Sequence, residues 1–358
     1  MDFRESTRRY ERWLATVVPV RRADLAAKHR LMRADALAFL RGTFYRWAQL
    51  WPGVCRGLAG APRVLAVGDL HIENFGTWRD AEGRLAWGVN DFDETVELPY
   101  TQDLVRLAAS ALLAGRVSCL HLSGRRACKA ILAGYAASLA ARGGPVVLAE
   151  RHRWLRDLAV ARLKDGRAFW ERLAALPRAR GRIDTRARKM LSGALPPSVG
   201  KVRLSYRRAG VGSLGRLRLV ALADWHGGLV AREMKALAPS AWLWADGTPL
   251  RAPRLAEVLD RAVRIPDPFL SVREGWLVRR LAPDCSRIDL ASLPRERDER
   301  RLLWMMGWET ANVHLGTPRA RRRILDDLGS RRGAWLAEAA RRMVREVERE
   351  WTQWRLRA

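Results

Sequence analysis

Cysteine is scarce in this chain, and long apolar runs are absent. The four cysteines, Cys55, Cys119, Cys128 and Cys285, form no CxxC pair. This spacing disfavours both a structural zinc site and a disulfide framework, so a reducing cytoplasm is the expected compartment. No stretch reaches the roughly 18 apolar residues that a membrane helix needs. The first residues also lack the apolar core of a secretory signal. The sequence therefore predicts a cytoplasmic protein without a membrane span.

Lysine is equally rare: six lysines stand against 60 arginines, in a chain of 358 residues with a formal net charge of +28. A basic surface of that size attracts nucleic acid, anionic lipid or phosphorylated metabolites. The abundance of arginine, alanine, glycine and tryptophan is also what the codon bias of a GC-rich genome produces. We favour codon bias, and we keep non-specific polyanion binding through arginine-rich helices as an alternative.

The apolar pattern divides the chain into three segments. Residues 1–199 are mainly helical but contain two short apolar runs, 63–67 and 84–89, that predict strands. Residues 200–290 alternate polar and apolar positions between glycines, which is typical of strands and hairpins. Residues 291–358 are helical again and are expected to pack back on the first segment. The pattern predicts an α+β protein with a large helical lobe and a small lobe built on an antiparallel sheet.

Two acidic clusters stand out against the arginine background. Asp69 and Asn74 lie five positions apart after the first predicted strand, and Asp91 follows the second. A carboxylate at Asp69 can accept a proton from an attacking hydroxyl, whereas Asn74 and Asp91 offer oxygen ligands to Mg²⁺. Base, metal amide and metal carboxylate in this order, with a hairpin between the last two, is the layout of phosphoryl transfer. An aspartate taken alone is more often a cap or turn residue, but the spacing of all three favours catalysis.

His71 and Glu73 lie in the same loop. A His-x-Glu zinc site needs further His or Cys ligands, and the neighbouring sequence offers none. His71 is therefore expected to hold the loop in place by hydrogen bonding.

The sequence GVGSLG fits the pattern GxGxxG. A dinucleotide fingerprint would open a helix, but here strand-like residues follow and lead to Lys235. Strand, glycine turn, strand, and strand with lysine is the order found in the glycine-rich lid over the ATP phosphates of kinases. An ordinary glycine hairpin is the alternative. The candidate nucleotide-binding positions of the turn are Gly210, Gly212, Ser213 and Gly215.

Lys235 is expected to hold phosphates of the nucleotide from an apolar strand. A lysine in that setting needs a carboxylate partner, and Glu257 on a predicted helix is the first helix candidate, with Asp260 second. In the folded protein, the Lys235 ammonium is expected to face one cleft with Asp91 and to point toward Asp91 or Glu257. The stretches 216–224, 228–237 and 274–282 are expected to pair in one antiparallel sheet. Residues 281–284 are expected to form the hinge beside the adenine.

These motifs resemble a known bacterial family, domain of unknown function 2252. The resemblance rests on VGDLHIENFG, NDFDE, DLVRLAAS, GVGSLG and MKAL, and it extends from about residue 25 to 320. The first motif is also similar, more distantly, to the Gly-Asp-x-His-x-x-Asn loop of aminoglycoside phosphotransferases. The resemblance implies a protein-kinase-like fold and ATP-dependent transfer, with Asp69 as base and with Asn74 and Asp91 as metal ligands.

Three departures from the kinase pattern matter. Val67-Gly68 precedes Asp69 where kinases have His-Arg, and Asp93 replaces the glycine of Asp-Phe-Gly as a further candidate metal ligand. The glycine turn and Lys235 also follow the acidic clusters instead of preceding them. A circularly permuted two-lobe kinase-like fold accommodates this order, because such permutation is tolerated when chain ends lie close together.

The expected function is an ATP- and Mg²⁺-dependent phosphotransferase with an unknown small-molecule or protein acceptor. Transfer of AMP by the same site is one alternative. A nucleic-acid-binding protein without catalysis is another, and it requires neither Asp69 nor Asp91.

Overall fold

The computed structural model describes residues 2–117, 120–148, 152–160, 166–180, 183–285 and 296–356. The predicted boundary between residues 290 and 291 lies outside these residues, and so does Cys119. The remaining cysteines are free thiols. In the described residues, none of the helices combines the length and the apolar character required to cross a membrane.

Helices supply most of the regular structure, as the pattern predicts for both ends of the chain. They are α1 (Phe3–Val17), α2 (Arg22–Ala34), α3 (Ala36–Gly42), α4 (Phe44–Val54), α5 (Tyr100–Arg116), α6 (Gly124–Ala140), α7 (Arg153–Val160), α8 (Gly166–Ala174), α9 (Thr185–Ser192), α10 (Ala241–Asp246), α11 (Leu255–Arg261), α12 (Glu296–His314), α13 (Ala320–Ser330) and α14 (Trp335–Leu356).

The strands form antiparallel sheets, so the protein has a mixed α/β fold. Strand β1 pairs with β4, and β2 and β3 form a hairpin that β5 extends. A five-stranded sheet has the order β6-β7-β8-β10-β9. The strands are β1 (Arg63–Ala66), β2 (Phe75–Arg79), β3 (Leu85–Val89), β4 (Val96–Pro99), β5 (Val146–Val147), β6 (Arg203–Tyr206), β7 (Arg218–Trp225), β8 (Gly228–Ala236), β9 (Ser271–Arg273) and β10 (Trp276–Leu281).

The five-stranded sheet confirms the pairing predicted for the three glycine-bounded stretches. Arg218 on β7 lies opposite Lys235 on β8, and Glu233 lies opposite Arg279 on β10. Because side chains alternate along a strand and directly opposed residues share a face, these four charged residues project from the same side of the sheet. This side is the one that meets the helical part of the protein.

Helices on both faces bury the rest of the sheet. The apolar face of α9, with Ala187 and Leu191, packs against Met234 and its neighbours on one side. On the other side, which also carries the four charged residues, Leu173 of α8 packs against Val220 and its neighbours. The β-rich unit therefore includes helices that precede residue 200. Their amphipathic pattern resembles that of any surface helix, so the sequence did not reveal which surface they would cover.

Helix α5 lies at the centre of the helical part and has the most completely buried surface. Leu104, Val105, Leu107 and Ala108 are fully buried, and the helix contacts α6, α12 and α14. The segment between β8 and β9 also packs here, because Trp242 of α10 meets Trp51 of α4 with 5.9 Å between ring centroids. The large core thus includes a helix that lies, in sequence, between two strands of the five-stranded sheet.

Helices α6 and α12 cross at two glycines. A Cβ atom added at Gly134 would overlap the backbone carbonyl of Trp304, and one at Gly307 would overlap that of Ile131. The absence of both side chains is therefore what allows the two helix backbones to approach so closely.

We expect Gly307→Ala to destabilise the protein by about 1–3 kcal/mol, because the added methyl group has to force the two helices apart. The control is Gly329→Ala in α13, where, among the described residues, no atom lies within 4 Å of the added Cβ. That change should stabilise the protein by about 0.5–1 kcal/mol through helix propensity. Urea unfolding of both variants measures the difference, and equal midpoints would contradict the packing at the crossing.

Candidate functional site

Helix α5 holds the loop that follows β1, residues 67–74, which we call the Asp69 loop. The Asp103 carboxylate accepts hydrogen bonds from the backbone amides of Val67 at 2.7 Å and Gly68 at 3.0 Å. Ser110, two turns further along the helix, accepts one from the amide of Ile72 at 3.0 Å. His314 of α12 lies 3.1 Å from the same Asp103 carboxylate. The loop conformation is thus set by buried polar side chains.

The loop also has internal hydrogen bonds. His71 Nδ1 accepts a hydrogen bond from the Glu73 amide at 3.2 Å, and Asn74 Oδ1 accepts one from the His71 amide at 2.8 Å. His71 therefore has the loop-holding role that was predicted for it. Gly68 has a φ of 83°, and a Cβ there would overlap the Glu94 carbonyl. Glycine at this position brings the two acidic clusters into direct contact.

Asp69 pairs with Arg106, which lies on α5. Arg106 Nε lies 2.7 Å from Asp69 Oδ1, and the guanidinium stacks on the rings of Phe44 and Trp47. Burial raises the pKa of Asp69 to about 7, although Arg106 opposes the shift. The sequence reasoning missed Arg106. The available signal was a lone basic residue in the otherwise apolar stretch LVRLAAS.

The second acidic cluster meets Lys235 of the sheet. Lys235 Nζ lies 2.6 Å from Asp93 Oδ2 and 3.4 Å from Asp91 Oδ1. Burial raises the pKa of Asp93 and the Asp91 carboxylate adds to the rise, while Lys235 and Arg216 oppose it. Within the described residues, Asp93 Oδ1 has no hydrogen-bond partner. Asp91 is the more open of the two, with 28% of its side chain exposed.

Glu94, next in the cluster, has a structural role that the sequence did not indicate. Its carboxylate accepts a hydrogen bond from Arg216 at 2.7 Å and another from the Ala241 amide at 2.6 Å, where α10 begins. Arg216 also approaches Asp93 at 3.4 Å. These contacts attach the start of β7 and the segment after β8 to the Asp69 side of the cleft.

The predicted glycine turn, residues 210–215, lies directly over Asp69. We call this segment the glycine loop. A Cβ on Gly212 would lie 3.2 Å from Asp69 Oδ2, and Lys28 Nζ donates a hydrogen bond to the Gly212 carbonyl at 3.2 Å. Burial lowers the pKa of Lys28 to about 8. Gly210 and Gly215 have φ values of 73° and 105°, which explains glycine at both positions.

Residues before α2 hold the far end of the glycine loop. The Arg21 amide donates to the Gly215 carbonyl at 2.8 Å, and the Leu217 amide donates to the Pro19 carbonyl at 3.0 Å. Ser213 is held by Arg218 Nη2 at 2.8 Å. The pocket between this loop and Asp69 has a volume of about 40 Å³. Such a volume accommodates water or a small cation but not an organic substrate.

A larger cavity of about 360 Å³ opens beside Asp91 and Gly210. On its sheet side, Glu233 accepts hydrogen bonds from Arg218 at 2.7 Å and Arg279 at 2.9 Å, and it also pairs with Arg207. Burial opposes ionisation of Glu233, but the three arginines hold its pKa well below the ordinary value. Glu233 therefore stays charged and fixes the arginines along the cavity wall.

Of the two carboxylates expected to face Lys235, the structure brings Asp91 close to it but not Glu257. Glu257 is not the partner of Lys235, because it pairs with Arg254, just before α11, and with Arg261 at the end of α11, both at 2.6 Å. The reason is that α11 packs its apolar side, including Val258, into the helical core and leaves Glu257 toward solvent. Residues 281–284 do border the larger cavity through Leu281. However, the Asp284 carbonyl already accepts a hydrogen bond from Thr77 at 2.6 Å.

The possible metal ligands form a small oxygen set. No group of three or more His, Cys, Asp or Glu side chains in the described part of the chain is arranged to hold a metal ion. Asn74, Asp91 and Asp93 instead offer an amide oxygen and two carboxylates, and one carboxylate oxygen has no partner there. Mg²⁺ accepts such a set, because phosphate and water complete its coordination shell. Oxygen donors of this kind suit Mg²⁺ better than a structural zinc site.

The described architecture is that of a basic mixed α/β protein with antiparallel sheets and an acidic cleft. Residues 21–189 match the model of a bacterial family described as "Uncharacterized protein conserved in bacteria (DUF2252)". The match covers just under half of the chain, including both acidic clusters and Arg106, and it ends before the glycine loop and Lys235. No curated protein and no solved structure matches the chain.

We expect Glu233→Gln to destabilise the protein by about 3–5 kcal/mol, because three arginines lose the buried carboxylate that they share. Glu257→Gln is the matched control: it also removes a carboxylate bound by two arginines, but near the surface, and should change stability by less than about 1 kcal/mol. Thermal and urea unfolding of both variants measure the contrast. Similar losses in the two variants would show that the Glu233 cluster does not stabilise the cavity wall.

Proposed function

We propose that the protein is an ATP- and Mg²⁺-dependent phosphotransferase with a circularly permuted, kinase-like two-lobe arrangement. One observation carries the proposal: residues 144 positions apart meet at one cleft, where Lys235 reaches Asp91 and Asp93. The glycine loop, from the same sheet as Lys235, covers Asp69. An ordinary glycine hairpin would not be expected to lie over Asp69, the carboxylate that the sequence predicts to be the base.

The roles follow from position and charge. Asp69 would orient the acceptor hydroxyl and take its proton, and Arg106 would hold the carboxylate in place. Asn74, Asp91 and Asp93 would hold Mg²⁺, which neutralises the charge that develops on the transferred phosphoryl group. Lys235 and the backbone amides around Gly212 would hold the phosphates of the donor.

The nucleotide would lie in the cavity between the sheet and the β2–β3 hairpin. Its volume of about 360 Å³ is within the range of small-molecule sites. Because Asp91 and Gly210 line one part of the cavity, the phosphates would lie near the acidic cluster. Thr77, Leu281 and Cys285 line another part, next to the predicted hinge. Because the glycine loop now closes the space over Asp69, the acceptor would enter only when that loop moves.

A labelling experiment identifies the group that is transferred. Purified protein is incubated with labelled ATP, Mg²⁺ and cell extract, and mass spectrometry identifies what gains mass. A gain of a phosphoryl group supports the proposal, whereas a gain of an AMP group would assign nucleotidyl transfer to the same residues. Sequence-independent binding of nucleic acid at low salt, with no modified product, would favour the polyanion-binding alternative.

Substitutions at the two aspartates should separate chemistry from binding. Asp69→Asn should retain Mg²⁺-dependent ATP binding and lose turnover by a factor of about 10² to 10⁴, the usual contribution of a general base. Asp91→Asn should weaken ATP binding itself in the presence of Mg²⁺. Asp326→Asn, at an aspartate with 73% of its side chain exposed, is the control. Full activity in both site variants would show that these carboxylates are structural.

The rate should also report the ionisation of Asp69. A base must be deprotonated, and the pKa of Asp69 is raised to about 7, so kcat/KM should rise with pH and level off above about 7. Below that pH, the rate should fall about tenfold per unit. The measurement is a pH profile at saturating Mg²⁺, with circular dichroism at each pH as the folding control. A flat profile from about pH 5 to pH 8 would exclude Asp69 as the base.

A further inference from the structure

The larger cavity is lined to an unusual degree by arginine, and we call it the arginine cavity. Its lining also includes Asp91 and Asp267, so it is not uniformly basic. Beyond the part that Thr77, Leu281 and Cys285 line, the cavity presents guanidinium groups on more than one wall. The arginines that line it, among the described residues, are Arg207, Arg218, Arg264, Arg279 and Arg280.

The sheet wall holds its arginines in an arrangement that leaves excess positive charge. Arg207, Arg218 and Arg279 share the single carboxylate of Glu233, so three cations surround one anion. Arg280 pairs with Asp284 at 3.3 Å, and Arg79 contacts the same carboxylate at 2.5 Å. These contacts fix the guanidinium groups before any ligand arrives, which reduces the entropy lost on binding.

Arg264 comes from the opposite side of the cavity and differs from the others. Its guanidinium stacks on the rings of Trp78 and Phe92, at 4.7 and 5.0 Å from their centroids. Trp78 is itself held by a hydrogen bond from Nε1 to the Ile265 carbonyl at 3.1 Å. The aromatic rings therefore hold the Arg264 side chain in a defined orientation without neutralising its charge.

Arg264 also lacks the hydrogen bonds that buried arginines usually make. Among the described residues, its Nε and Nη1 atoms are buried without a partner. Burial lowers its pKa to about 10, while the carboxylates of Glu309 and Asp267 oppose that shift. Buried guanidinium nitrogens without partners are unfavourable in the ligand-free protein, so an anionic ligand would relieve an existing imbalance.

We propose that the arginine cavity binds a small polyanion bearing phosphate groups, which Arg264 contacts from the wall opposite the sheet. Guanidinium groups suit phosphate because they donate paired hydrogen bonds to its oxygens. The cavity volume admits an oligophosphate or a nucleotide, and both share this chemistry. The binding goes beyond the proposed transferase activity, because it requires no Mg²⁺ and no transfer of a group.

The experiment measures binding of inorganic triphosphate by calorimetry without Mg²⁺, in the wild type and in Arg264→Met. We expect binding by the wild type and affinity weaker by about tenfold or more in the variant, because a charge-assisted contact is lost. ATP and adenosine distinguish the sources: ATP should also lose affinity in the variant, and adenosine should bind poorly to both proteins. Adenosine binding as tightly as ATP would overturn the proposal, since recognition would then reside in the nucleoside.

Arg232→Met is the matched control. Arg232 is a buried arginine on β8 of the five-stranded sheet, and it does not line the cavity. Like Arg264 it stacks on an aromatic ring, that of Phe269 at 4.7 Å, but it also donates a hydrogen bond to the Ala194 carbonyl at 2.9 Å. This variant should have a lower thermal midpoint and unchanged triphosphate affinity. Arg264→Met should show the reverse: a midpoint that is unchanged or higher, with affinity lost. A lower midpoint with unchanged affinity would show that Arg264 only supports the aromatic rings.

Anion binding and catalysis are tested separately. Asp69→Asn should keep wild-type triphosphate affinity, because Asp69 does not line the arginine cavity. If turnover proves absent but Arg264-dependent triphosphate binding is present, the anion site stands without the transferase. If turnover is present and Arg264→Met leaves triphosphate affinity unchanged, the anion site is wrong and the transferase stands.

Discussion

The arrangement of the cleft depends on one buried carboxylate, that of Asp103. It takes the amide hydrogens of Val67 and Gly68, which a loop leaving a strand would otherwise have to donate to water. With those amides held by α5, the next residue, Asp69, is directed toward Arg106 one turn further along the same helix. Because α5 is itself almost fully buried, the Asp69 loop has little freedom to adopt another conformation.

The second half of the cleft reaches this loop through charge pairing across the chain. Lys235 and Arg216 both contact Asp93, and Arg216 continues to Glu94. Buried cations and carboxylates of this kind add little to net stability when compared with apolar side chains, but they strongly disfavour any misplacement that leaves a charge unpaired. The pairing therefore sets how the five-stranded sheet sits on the helical part.

Local patterns were the predictable part of the protein. The Asp69 loop, the hairpin before Asp91 and the strands around Lys235 depend on short-range spacing, and the structure contains each of them. The partners of Lys235 were predictable only in part, because Asp91 and Glu257 were both expected to face it and the choice between them depended on how α11 packs. The closer contact with Asp93 was not predicted, since Asp93 was expected only as a metal ligand. Arg106 and Arg264 were hidden for another reason: among so many arginines, composition does not show which ones are buried.

The contacts of the glycine loop tie its motion to the beginning of the chain. Arg21 and Pro19 bond to the loop and to the start of β7, and Lys28 bonds to Gly212 above Asp69. A displacement that widens the space over Asp69 must break these hydrogen bonds or carry residues 19–28 with it. Residues 19–28 are thus bonded directly to the glycine loop and to the start of β7, although they are remote in sequence from Asp69 and Lys235, so any opening of the cleft would have to involve them.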